Sequence, residues 1–233
     1  MSTIADNIAN VRDRIFRAAE SVGRDPQGIT LMAVTKTRAA TAIRDAWAHG
    51  IADFGENYVQ EALDKIAALQ DLPLTWHFIG PIQSNKTRAI AEHFDWVHSV
   101  DRLKIAQRLS EQRPEHLPPL NICLQVNVSA EDSKSGVLPE ELATLAAAVS
   151  VLPRLRLRGL MAIPAPADDS AARRAPLQQL RQALQALPQP LDTLSMGMTD
   201  DLTEAVQEGS TIVRIGTALF GPRDYSTPPS DQG

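Results

Sequence analysis

Eight short apolar runs with amphipathic stripes between them restrict this chain more than any other feature of its sequence. The runs are Ile29–Thr35, Asp53–Gly55, Trp76–Gly80, Trp96–Ser99, Ile122–Val128, Leu157–Ile163, Leu191–Met196 and Ile212–Ile215. Several are continuously apolar rather than alternating, which is how parallel strands covered on both faces read. Between them, Leu177, Leu180, Leu184 and Leu187 recur at steps of three and four, as do Leu142, Leu145 and Val149. Each stripe predicts a helix that turns an apolar face to a sheet. Asp101 is placed to cap the helix bearing Leu103, Ala106 and Leu109. Thr199 precedes Asp200-Asp201, where acids suit the positive end of a helix, and Gly209 closes that helix.

Eight β/α units in 233 residues predict an α/β protein, a single (β/α)8 TIM barrel. An open, doubly wound sheet is the competing architecture. Against it, the first strand-to-helix turn, Val34-Thr35-Lys36-Thr37-Arg38, has no glycine-rich dinucleotide fingerprint. The whole chain, 1–233, is expected to form one barrel domain. An extra N-terminal helix is expected over 2–23, from the spacing of Ile4, Ile8, Val11, Ile15 and Val22, and an irregular tail over 222–233. A net charge of −5 argues against a nucleic-acid partner, since phosphate backbones need a basic surface. No run approaches the length of a membrane span or a signal peptide, so no membrane partner and a cytoplasmic location are expected. Cys123 has no second cysteine to pair with and sits in an apolar run, where a thiol behaves as a small hydrophobe.

In a barrel, residues at the carboxyl ends of the strands line the active mouth. That rule selects Lys36, Asn57, His77, Met161, Ser195, Arg214, Gly216 and Thr217. Lys36 leaves a buried strand, and a lysine in partly apolar surroundings loses its charge more readily, so its neutral amine can attack a carbonyl. Alone, such a lysine more often snorkels to solvent. The end of the chain shifts that balance. Ser195-Met196-Gly197-Met198 and Gly216-Thr217 follow strands seven and eight, where barrels bind phosphate with backbone N–H groups, small residues and hydroxyls. A phosphate cradle beside an imine-forming lysine suits pyridoxal 5′-phosphate. Arg214 shares a strand face with Gly216 and, set against a pyridine nitrogen, would keep it unprotonated. A histidine such as His77 is more often a hydrogen-bonded core residue than a catalyst, and Asn57 could bond the cofactor ring or cap the next helix. The five histidines show no ligand spacing, so no metal site is expected.

Longer motifs then carry a resemblance. They are Ala33-Val34-Thr35-Lys36, Phe54 through Glu61, Trp76 through Lys86, Ser133-Lys134-Ser135-Gly136, Arg158-Gly159-Leu160-Met161, Leu194 through Met198, and Val213-Arg214-Ile215-Gly216 through Phe220-Gly221. In this order the chain resembles the pyridoxal phosphate homeostasis proteins (the YggS/PROSC family), whose barrel is similar to the N-terminal domain of alanine racemases. The resemblance implies a Schiff base between pyridoxal phosphate and Lys36. Ser195, Gly216 and Thr217 would hold the phosphate, Arg214 would face the pyridine nitrogen, and Asn57, His77 and Met161 would line the pocket. Two departures stand out. Thr199 replaces the family's usual serine after Met198, and Pro222 follows Gly221.

The resemblance implies a carrier that takes part in intracellular vitamin B6 and amino-acid homeostasis without a turnover reaction. Its expected partners are the cofactor and apo enzymes that use it, and it is expected to be a monomer. A small amino-acid racemase is the alternative. Racemisation needs an acid/base on each face of the substrate carbon, and alanine racemases take the second from a tyrosine on another domain. The only tyrosines here are Tyr58 and Tyr225. A class I aldolase-like barrel using the same lysine without a cofactor is a third reading.

Overall fold

The computed structural model describes residues 3–129 and 135–222. Eight parallel strands close into a barrel in chain order, each hydrogen-bonded to the next and the eighth to the first. After a leading helix α1 (Ile4–Glu20), the first half runs β1 (Thr30–Val34), α2 (Ala40–Ala48), β2 (Asp53–Glu56), α3 (Val59–Ala68), β3 (Thr75–Phe78), α4 (Thr87–His93), β4 (Trp96–Val100) and α5 (Leu103–Gln112). The second half runs β5 (Leu120–Gln125), α6 (Leu142–Ser150), β6 (Leu155–Met161), α7 (Ser170–Ala186), β7 (Thr193–Ser195), α8 (Leu202–Gln207), β8 (Ile212–Ile215) and α9 (Thr217–Phe220). The (β/α)8 expectation therefore holds, and the open sheet is excluded by the β1–β8 pairing.

Local chemistry sets the element ends. Thr3 caps α1 through a capping box with Asp6, and the helix buries Ile8, Val11 and Ile15 against the barrel. Asp169 caps α7 by accepting from the Ala172 N–H. Asp101 does not cap α5: Arg102 holds the N-cap position, and its guanidinium takes the Asp101 carboxylate at 2.6 Å. Thr199 likewise caps nothing. α8 starts at Leu202 with Asp201 before it, and the Asp201 carboxylate turns back to accept the Met198 N–H at 2.6 Å. No helix among the described residues is long and apolar enough to cross a membrane. Ser133, Lys134, Tyr225 and the tail beyond Pro222 lie outside the described residues.

Two apolar systems flank the barrel wall. The larger lies between strands and helices and includes Phe54, Phe78, Phe94, Ile122 and Leu160. The smaller, Met32, Ile79 and Ile212 with Val34 and Trp96 against them, fills part of the barrel interior. Gly159 shows how tightly the wall closes. A Cβ there would sit 1.7 Å from the Thr193 carbonyl oxygen, at the β6–β7 pairing. Gly159→Ala must push those strands apart, and overpacking of this kind costs about 3 kcal/mol or more. Chemical unfolding of the variant is expected to show that loss; a midpoint within error of wild type would contradict the packing described.

Candidate functional site

A cavity of about 310 Å³ opens at the carboxyl ends of the strands. Val34 and Lys36 reach it from β1, Asn57 from β2, Ile79 from β3, and Arg214, Gly216 and Thr217 from β8, while Met198 and Thr199 close it from the loop before α8. A wider hollow of about 460 Å³ lies at the opposite end, between α1 and the starts of β1 and β2, and no lysine lines it. Chemistry in barrels belongs to the carboxyl end, and the amine is there. The Asn57 side-chain oxygen is buried and makes no hydrogen bond among the described residues, an unmet acceptor on the cavity wall. Such a group calls for a ligand or an ordered water. Gly80 lets the Asn57 backbone close in: a Cβ at that position would stand 2.2 Å from the Asn57 main-chain carbonyl oxygen.

The turn that carries Lys36 is locked from outside the barrel. Lys65 on α3 is buried and donates to the Thr35 carbonyl at 2.7 Å, to Glu56 at 2.7 Å and to Glu61 at 2.6 Å. Thr35 donates its hydroxyl to the same Glu56 oxygen, and the Thr37 N–H donates to Glu61. Burial pushes the Glu56 carboxyl up, opposed by the Lys65 charge and the Thr35 hydroxyl. The network holds Thr37 at a φ of 63°, a left-handed conformation that a β-branched residue adopts only under constraint. Lys65→Met leaves Glu56 buried without its cation, a loss of about 3–5 kcal/mol. Urea unfolding is expected to register it, and a near-neutral result would mean the clamp is dispensable.

Arg214 lies at the cavity floor, almost fully buried. It donates to Ser195 Oγ and to the Ala162 carbonyl oxygen, each at 2.8 Å. Burial lowers its pKa to about 10, with Asp201 opposing, so it remains a cation at neutral pH. Ser195 also meets His98 Nδ1 at 2.8 Å. Beyond, His98 Nε2 and His77 Nδ1 are 2.9 Å apart, and His77 Nε2 is 2.8 Å from Asp53 Oδ1. His98 is fully buried beside His77 and Arg214, and all three effects hold its pKa well below the usual histidine value, burial most. The Cys123 thiol is pushed up to about 12 by burial, in keeping with a small hydrophobe.

Five of the eight residues selected from the sequence therefore share one cavity: Lys36, Asn57, Arg214, Gly216 and Thr217. Three do not line it. Ser195 is buried beneath the guanidinium with its hydroxyl engaged by Arg214 and His98. His77 lies deeper in the barrel, stacked on Trp96 with ring centroids 5.7 Å apart. Met161 is wholly buried on β6 beside Ser195 on β7. Thr199, expected from its place before Asp200-Asp201 to cap a helix, lines the cavity instead. His98 went unselected, although its position two residues after Trp96 puts both on one strand face. Lys65 gave no signal at all, since nothing local marks a lysine as buried.

Residues 2–224 match the model of the alanine racemase N-terminal domain family. A pyridoxal phosphate homeostasis protein of Pseudomonas aeruginosa is 67% identical over 230 residues, covering 99% of this chain and 100% of that one. The chain belongs to the pyridoxal phosphate homeostasis protein family. A member from Escherichia coli is 56% identical over 97% of this chain and 99% of its own. Among solved structures, PipY of Synechococcus elongatus with pyridoxal phosphate bound is similar at a TM-score of 0.82 and 40% identity, covering 94% of this chain and all of that one. The alanine racemase of Corynebacterium glutamicum, at 19% identity and a TM-score of 0.71, shares the fold over 62% of its length.

The buried, neutral His98 has a measurable consequence. In the unfolded chain it titrates near 6.5, while the folded chain resists its protonation. Below that pH the unfolded state binds the extra proton, so stability falls as pH falls, by up to about 1.4 kcal/mol per pH unit from this one group. Unfolding between about pH 6.5 and 5.5 is expected to show that slope. His98→Asn should flatten it by close to one proton; an unchanged slope would mean that His98 is not buried neutral.

Proposed function

We propose that this chain binds pyridoxal 5′-phosphate through a Schiff base on Lys36 and takes part in intracellular pyridoxal phosphate and amino-acid homeostasis without a turnover reaction of its own. The observation that carries the reading is the cavity itself, where Lys36 from β1 faces Gly216 and Thr217 from the adjoining β8. Its volume suits a small vitamin-derived ligand, and the unmet Asn57 oxygen offers an acceptor on the wall. The bound form in PipY supports the ligand, and the named relatives support the role.

In this reading Thr199, Gly216 and Thr217 surround the phosphate. Ser195, with its hydroxyl engaged below, supports Arg214 rather than the phosphate. Arg214 faces the ring nitrogen. As a fixed cation that only donates, it keeps that nitrogen an acceptor. When bound, the cofactor supplies an electron sink, and an unprotonated ring weakens it. That favours holding the aldehyde over turning substrates over. The described residues lining the cavity include no histidine, tyrosine or cysteine, and Asp200 is the carboxylate among them that a racemase would have to use as its second acid/base. Delivery of the cofactor to apo enzymes by a single-chain carrier completes the proposal.

Titration of the purified protein with pyridoxal phosphate is expected to produce a visible absorption band, absent in Lys36→Ala. Borohydride followed by peptide mapping should place the reduced adduct on Lys36; an adduct on another lysine would sink the assignment. Thr199→Val and Thr217→Val should each lose about 1.5–3 kcal/mol of affinity, the value of a charge-assisted hydrogen bond, with imine formation retained. Unchanged affinity in both would put the phosphate elsewhere.

A further inference from the structure

An unbroken row of hydrogen bonds crosses the barrel interior from one cavity to the other. It runs from Arg214 at the mouth through Ser195, His98 and His77 to Asp53, which lines the hollow at the far end. The two ends have fixed roles: a guanidinium only donates, and an ionised carboxylate only accepts. With one proton on each imidazole, a single arrangement satisfies every link. Ser195 accepts from Arg214 and donates to His98 Nδ1, His98 Nε2–H donates to His77 Nδ1, and His77 Nε2–H donates to Asp53. The reverse direction would need a second proton on His77 and would point two donors at Ser195. The surroundings of His98 hold it neutral, which agrees with the first arrangement. None of the buried polar atoms left without a partner belongs to this row. A fully satisfied, buried polar row makes its members rigid.

We propose that Asp53 and His77 are positioning residues for Arg214: from the far end of the barrel they set both ring tautomers, and so commit the Ser195 hydroxyl to His98 and its lone pairs to the guanidinium. Neither touches the mouth cavity, and Asp53 stands at the first residue of β2. The Ala162 carbonyl fixes a second edge of the guanidinium, so the row decides how the remaining face meets a ligand. The effect on pyridoxal phosphate rests on the function proposed above, whereas the tautomers do not.

The test uses the full chain labelled with ¹⁵N-histidine, without cofactor, and reads the tautomers from two-bond ¹H–¹⁵N spectra. Wild type is expected to show His77 and His98 as Nε2–H rings. Asp53→Asn retains an acceptor oxygen and should retain both. Asp53→Leu removes the acceptor, so both rings should shift toward Nδ1–H. Titrated with pyridoxal phosphate, Asp53→Leu should bind roughly three- to tenfold more weakly, the value of one net hydrogen bond, with an altered absorption band, and Asp53→Asn should recover wild-type behaviour. An Nδ1–H ring in wild type, unshifted rings in Asp53→Leu, or an unchanged titration of that variant each overturns the proposal. If Asp53→Leu fails to fold, His77→Phe keeps a ring against Trp96 and breaks the row, with His98 as reporter under the same criteria. A wild type that binds no pyridoxal phosphate rejects the cofactor reading instead, and the ring tautomers then decide the row alone.

Discussion

The parallel pairing of β1 with β8 is the contact on which the rest of the molecule depends. It joins Met32 to Arg214 and Ala33 to Ile215, and so brings the two ends of the sequence together at the mouth. Lys36 and Gly216 lie just beyond that register and share a cavity because of it. Side chains alternate across a strand, so a slip of one residue in β1 would turn Lys36 out of the mouth, and one in β8 would turn Arg214 into the outer layer. A closed barrel has no free edge along which such a slip can be absorbed. The pairing is therefore as much a part of the site as the lysine.

Around that pairing, two polar systems hold Lys36 and Arg214 from opposite sides of the barrel wall. Outside, the Lys65–Glu56–Glu61 clamp fixes the strained turn that presents Lys36. Inside, the row from Arg214 to Asp53 fixes the guanidinium. Both cost desolvation, and both are justified only if every strong donor finds an acceptor. The result is a preorganised cavity: its main groups are held by neighbours that never reach the ligand. Such rigidity leaves little ordering to oppose the binding of a ligand there.

Much of this was legible without coordinates. The eight strands fall where the apolar runs predict them, with ends displaced by up to three residues, as at β5, which is Leu120–Gln125 rather than Ile122–Val128. Strand-end residues such as Lys36, Asn57 and Thr217 line the cavity at the mouth, where a rule tied to strand position puts them. The failures have a common form. Asp101 and Thr199 have the composition of caps, yet a neighbouring guanidinium took one carboxylate and a cavity claimed the other residue's position. Ser195 stands at a strand end, yet its side chain lies beneath Arg214 rather than on the cavity wall.

Taken alone, the sequence determined the barrel, its strand order and the lysine at its mouth, because periodicity, strand count and motif are properties of neighbouring residues. Only the tertiary structure decided which side of the barrel wall each polar group serves. Glu56 and Lys65 face outward under the Lys36 turn, while His98 and Ser195 face inward under Arg214. These partners come from strands and helices distant in the chain. A hydrogen bond made across a barrel leaves no pattern in the residues on either side of it.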